Sequence, residues 1–171
     1  MPLKSDKYFT VLELALLLYK KGEFQESLGL IREARELNRF DGALCHVGAL
    51  CAFRLGDVAG AKLLIEDSIK EAPHEPIHWN VLGEVHRLSG DLFEAIKAFQ
   101  QAIVLDPGIA DVYSNLGNVY SDAGDYENAF AAYRKALAVD PNHLPAIRDP
   151  RGGHLQGFLA DPLGGHCLPA M

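Results

Sequence analysis

Four glycines, Gly22, Gly56, Gly90 and Gly124, stand 34 residues apart along the chain. A fixed period of that length means one structural unit repeated in tandem. Each unit holds two apolar periodic stretches of about 14 residues, long enough for helices and too long for typical strands. The glycine falls between the two stretches. There it can close the first helix (helix A) in a left-handed conformation at little steric cost. The residue after it is acidic in every unit: Glu23, Asp57, Asp91 and Asp125. A carboxylate at that place caps amides and meets the positive end of the second helix (helix B). Asp106-Pro107 and Asp140-Pro141 should stop helix B, because the residue before proline disfavours the helical region. Ala61, Ala95 and Ala129 are small enough to let the two helices of a hairpin approach closely.

The third unit carries Trp79, Leu82, Gly83, Ala95, Phe99 and Pro107 at fixed spacings. The fourth holds Tyr113, Leu116, Gly117, Tyr120, Ala129, Tyr133 and Pro141 at the same places. The second holds Cys45, Gly48, Ala49, Ala61, Ile65 and Pro73. The first holds Val11, Leu14, Ala15, Leu18, Ser27 and Ile31, with Arg39 where proline is expected. This pattern resembles the tetratricopeptide repeat family. The units are residues 8–41, 42–75, 76–109 and 110–143, and 144–171 form a glycine- and proline-rich tail. The resemblance implies an all-α fold, a right-handed superhelical solenoid of four helix-turn-helix repeats. It also implies that peptides bind on the face of helix A turned away from the repeat core.

Composition fits a soluble helical domain. Hydrophobic residues make up 49% of the chain, and the net charge is −7. That balance, with no basic stripe, argues against a nucleic-acid partner. Cys45, Cys51 and Cys167 do not form a disulfide framework, and free thiols suit a reducing, cytoplasmic setting. The apolar stretch 9–19 is interrupted by Glu13 and is too short to span a bilayer. No phosphate-binding glycine loop or nucleophile motif is present. His74 and His78 have helical metal-site spacing, but Pro73 and Pro76 flank them, so they read as surface histidines in a turn. The chain is therefore expected to be no enzyme and to hold no cofactor or metal.

Helix A positions four, seven, eight and eleven of each unit form its core face, and positions two, five, six, nine, twelve and thirteen lie opposite. On that opposite face the first unit places Phe9, Leu12, Glu13, Leu16, Tyr19 and Lys20. The second places Ala43, His46, Val47, Leu50, Phe53 and Arg54. The third places Ile77, Asn80, Val81, Glu84, Arg87 and Leu88. The fourth turns polar, with Asp111, Ser114, Asn115, Asn118, Ser121 and Asp122. A helix apolar all round is normally buried. Either this face is a groove for an apolar or amphipathic peptide, or it is covered by self-association or by a further part of a longer protein. Leu16, Val47, Leu50, Phe53 and Val81 would line the centre of a groove, with Arg54 and Arg87 near an acidic flank of the ligand.

Relatives that bind chaperones hold a terminal carboxylate with lysine, asparagine and arginine. Here those places hold Leu12, Leu16, Val47, Ile77 and Val81, or one unit later His46, Leu50, Val81, Asp111 and Asn115. Neither set supplies cations for a carboxylate. The asparagine ladder of sugar-transferase relatives is absent too, its place reading Glu13, Val47, Val81, Asn115. A fifth unit starts at Leu144 and stops at Asp149-Pro150, which suggests a truncated or unusual terminus. Phe130, Leu137 and Val139 should then lie partly open, inviting cover by Leu155, Phe158 and Leu159 or a homo-oligomeric contact. The expected function is a protein-interaction scaffold, with a self-assembling block or the regulatory array of a larger enzyme as the alternative.

Overall fold

The computed structural model describes residues 3–37 and 42–142, with side chains from 11 to 34 and from 42 to 142. The described residues form eight helices: α1 (Leu3–Lys21), α2 (Phe24–Leu37), α3 (Gly42–Arg54), α4 (Val58–Glu71), α5 (Pro76–Ser89), α6 (Leu92–Leu105), α7 (Ala110–Asp122) and α8 (Tyr126–Val139). The all-α class holds. α1 begins at Leu3, five residues before the expected start of the first unit at Tyr8. The chain divides into two compact units, Met1–Gly108 with α1 to α6 and Ile109–Met171 with α7 and α8. The glycine- and proline-rich tail, including Leu155, Phe158 and Leu159, lies outside the described residues.

Each helix A ends by the same backbone device. Gly22, Gly56, Gly90 and Gly124 have φ of 83°, 78°, 82° and 76°. Each glycine amide donates to the carbonyl three residues back, and the next amide to the one five back, as in Gly90 to Arg87 and Asp91 to His86. These bonds satisfy carbonyls that a helix end would otherwise leave open. Helix B starts less uniformly than the acidic residues suggest. Asp57 accepts from the Gly60 amide at 2.9 Å and Asp125 from the Asn128 amide at 3.2 Å, whereas Asp91 makes no side-chain cap. Three B helices end on the residue before a proline, Ala72, Asp106 and Asp140, all off the helical region.

The two helices of a hairpin touch where helix B presses a large side chain onto the backbone of helix A. A Cβ added to Gly83 would meet the Phe99 ring at 2.7 Å, and one added to Gly117 would fall on the Tyr133 ring. In the first two units the same places pair Ala15 with Ile31 and Ala49 with Ile65, all four fully buried. An aromatic ring thus stands opposite glycine, and a smaller isoleucine stands opposite alanine. One turn earlier on helix B the packing residues are Ala61, Ala95 and Ala129, each at most 2% exposed. The first unit has Ser27 there, and its hydroxyl donates to the Ala15 carbonyl at 2.8 Å, so a polar atom sits inside the core at no cost in unpaired groups.

Within the first compact unit the hairpins share one core, running from Ala15 on α1 to Ala98 on α6. α3 lies at its centre, packed on α1, α2, α4 and α5. Eight of its residues are buried, from Gly42 through Ala52, and they cover more than half of its circumference, while Ala43, His46, Leu50, Phe53 and Arg54 on the remaining side are half-buried or exposed. Much of its apolar surface is therefore covered by its neighbours in the same chain. Cys45 and Cys51 are buried free thiols. Burial pushes the Cys51 thiol pKa up, and its Sγ lies 3.3 Å from Ser27 Oγ.

A methyl group at position 83 has to displace the Phe99 ring. Gly83→Ala should lower stability by about 1–3 kcal/mol. Adding Phe99→Ile, which recreates the pairing of the first two units, should make the double variant less destabilised than the two single losses added together. Urea denaturation of the four chains measures both effects.

Candidate interaction surface

The face of helix A opposite the hairpin contact separates into a floor and a rim. Val47 on α3 and Val81 on α5 are 4% and 6% exposed, and both belong to the shared core. They hold neighbouring hairpins together and do not present themselves to a ligand, which corrects the expectation that they line the centre of a groove. Asn80 is buried as well.

The rim is built from positions nine and twelve of each unit. On α1 these are Leu16, exposed, and Tyr19, half-buried; on α3 they are Leu50 and Phe53, both half-buried against the core. Leu12, one turn before Leu16, is half-buried too. On α5 the same positions hold Glu84 and Arg87, both partly exposed and each engaged in a polar or electrostatic contact. Ile77, at the start of α5, is exposed. The surface thus runs from apolar on α1 and α3 to charged on α5. Phe9 lies on α1 with its side chain outside the described residues.

Arg54 does not point to a ligand flank. Its guanidinium lies over the Phe24 ring, 5.2 Å from the centroid, and that ring also packs on Tyr19 at 5.5 Å. Arg54 and Phe24 thereby pin the end of α3 to the start of α2, a contact worth about 0.5–1 kcal/mol at an exposed site. In the second compact unit Asn118 accepts a hydrogen bond from Tyr133 Oη at 2.9 Å, and Asn115 is half-buried and engaged. Asn118 therefore serves its own hairpin. Phe130 and Leu137 are half-buried, and Val139 is 38% exposed.

The histidines depart most from expectation. His74 is exposed, but His78 is buried, not a surface residue of the turn. Its ring lies against His46 of α3 with centroids 5.1 Å apart. Nothing in the sequence pattern marks this pair, since the two residues fall at different positions of their units. Trp79 Nε1 donates to the Pro73 carbonyl at 2.8 Å and fixes the same junction. Among the described residues no group of three or more His, Cys, Asp or Glu could hold a metal, and no helix is long and apolar enough to cross a membrane.

The comparisons with known proteins agree with this geometry. The family model described as Tetratricopeptide repeat matches residues 110–143, and that described as TPR repeat matches 83–124. These matches place residues 83–143 in the tetratricopeptide repeat family. It is 28% identical over 104 residues to the BBSome complex member BBS4 of Mus musculus, a match covering 61% of the chain and 20% of that protein. The chain thus spans about a fifth of the length of that curated relative. Among solved structures, MamA from Desulfovibrio magneticus RS-1 superposes with a TM-score of 0.74 at 17% identity, covering 80% of the chain and 77% of MamA. A thermophilic TPR protein of Thermus thermophilus gives 0.72 at 24% identity, covering 90% and 82%. The Cut9–Hcn1 structure gives 0.74 at 21%, covering 80% of the chain and 28% of the matched one. At these identities the structures establish the fold.

The split between floor and rim is measurable in the repeats themselves. Val81→Glu places a charge in the shared core and should cost more than about 3 kcal/mol. Leu16→Glu changes an exposed side chain and should stay within about 0.5 kcal/mol of the parent. Thermal unfolding followed by circular dichroism separates the two.

Proposed function

We propose that the chain is a non-catalytic protein-interaction scaffold that takes an amphipathic or apolar peptide segment across α1, α3 and α5. The observation that carries this reading is the alignment of Leu16, Leu50 and Glu84, and of Tyr19, Phe53 and Arg87, at identical positions of successive units. Leu12, Leu16, Tyr19, Leu50 and Phe53 would meet the apolar side of the segment. Glu84 and Arg87 would meet its polar end, and His46 and Ile77 would lie towards the helix starts. A strip of half-buried aromatic and aliphatic side chains suits helix-in-groove recognition, because burying each side chain fully contributes up to about 1.5–3 kcal/mol. The free thiols Cys45 and Cys51 suit a reducing, cytoplasmic setting.

A second reading, self-assembly, draws on Leu14 and Leu17, which are 42% and 48% exposed on another side of α1, and on Val139 of α8. An isologous dimer through either patch would cover it. Light scattering over a concentration series decides this reading: a monomer at every concentration removes it.

The scaffold reading is tested with a displayed library of helical peptides. The parent chain should select sequences with apolar residues spaced three and four apart. Leu16→Glu together with Leu50→Glu should weaken the selected peptides at least tenfold while the helical circular dichroism is unchanged. Equal binding by both chains would remove this surface from consideration.

A further inference from the structure

His46 and His78 meet where the second and third hairpins join, with ring planes inclined at 37°. His78 Nε2 lies 3.1 Å from Ser68 Oγ, and its Nδ1 lies 3.3 Å from the Ala72 carbonyl at the end of α4. Ser68 Oγ in turn donates to the Gly42 carbonyl at 2.7 Å. The chain of three contacts ends on two carbonyl oxygens, which only accept. It asks for three protons, and a neutral imidazole with one hydroxyl carries two. The two shorter contacts are satisfied when His78 Nε2–H donates to Ser68 and Ser68 donates to Gly42. His78 Nδ1 is then left with a lone pair facing the Ala72 carbonyl. One added proton there turns an opposed pair into a hydrogen bond.

His46 offers no such place. Its Nδ1 is buried without a hydrogen-bond partner, so a proton there puts a charge on a buried atom beside a second imidazole. The ionisable groups around the pair are few. Glu71 of α4 is held by the Gly42 amide at 2.8 Å, and Glu75 at the N-cap of α5 favours a charged His78. Lys70 of α4 is paired with Asp67. Glu13 and Lys20 of α1, and Glu26, Arg32 and Glu33 of α2, are exposed, and Glu84 and Arg87 of α5 lie further along the helix. Two imidazoles without a third donor are not a ligand set for a metal among the described residues.

We propose that this junction is an acid-operated hinge, in which His78 accepts a first proton and holds it against the Ala72 carbonyl, and protonation of His46 then separates α5 from α3. Burial pushes the His46 pKa from 6.5 to about 4, with the neighbouring His78 acting in the same direction. Burial also lowers His78, opposed by the Ala72 carbonyl and Glu75. Both folded-state values lie below the unfolded one, so the unfolded or opened form binds more protons. The stability the neutral rings contribute is complete above about pH 6.5 and is lost as pH falls towards 4. For His46 the displacement from 6.5 to about 4 corresponds to roughly a 300-fold shift in the opening equilibrium. The hinge is a property of the free chain and does not depend on any ligand.

Histidine-labelled NMR of the full chain from pH 7.5 to 4, with amide protection factors measured in parallel, tests the hinge. The His46 ring should titrate near pH 4, and protection of the hydrogen-bonded amides in the second turns of α3 and α5 should fall with the same midpoint while that within α7 and α8 persists. His46→Gln, checked for folding at pH 7.5, should keep the junction protected at pH 4. A His46 midpoint near 6.5, equal loss of protection in every hairpin, or opening unchanged in His46→Gln would overturn the proposal. Should His46→Gln fail to fold, the parent titration decides alone: opening that does not follow the His46 midpoint refutes it.

Discussion

Everything in this chain depends on how closely the two helices of a hairpin can approach. The distance is set by one contact, a bulky residue of helix B lying on helix A where helix A has little or no side chain. Gly83 under Phe99 and Gly117 under Tyr133 show the limiting case, in which even a methyl group has no room. Ala15 and Ala49 opposite Ile31 and Ile65 reach the same end with the volume divided differently. Because interiors are packed to crystal-like density, the pair has to be chosen jointly. Every other contact of the hairpin inherits its spacing, including the buried alanines of helix B and the serine that replaces one of them.

Stacking the hairpins uses the remaining surface of helix A. α3 packs on α1, α2, α4 and α5, and its Val47, Cys51 and Ala52 disappear into the shared core. What stays open is a narrower strip than the apolar count suggests. Leu16, Tyr19, Leu50 and Phe53 remain exposed or half-buried at its edge. A surface of this kind is rigid, since its floor is the core itself.

Much of the architecture was legible in the sequence. The four glycines at period 34 gave the turn positions, and their positive φ values and paired hydrogen bonds follow from the absence of a side chain. Asp106-Pro107 and Asp140-Pro141 announced where the last two B helices stop. The site was less legible. Helical periodicity tells which way a residue points from its own axis, but not how near the next helix lies, so Val47 and Val81 looked available and are not. His78 was misjudged for a related reason. Flanking prolines were read as a turn, whereas Pro76 begins α5 and places His78 inside the first turn of a packed helix. The His46–Ser68–His78 contacts join three helices, and no local pattern encodes an arrangement of that range. Arg54 stacking on Phe24 is equally invisible to spacing, because a cation–π partner is fixed by side-chain reach.

The left-handed glycines have one more consequence, which concerns how the chain reaches its structure. Each turn closes with bonds spanning three and five residues, and each helix pair it joins is adjacent in sequence. Contacts of such short span cost little loop entropy before they form, so topology of this kind is associated with fast folding. Any of the four hairpins can serve as the starting point, with its neighbours adding to it in either direction. The order of assembly is then a matter of which hairpin closes best locally.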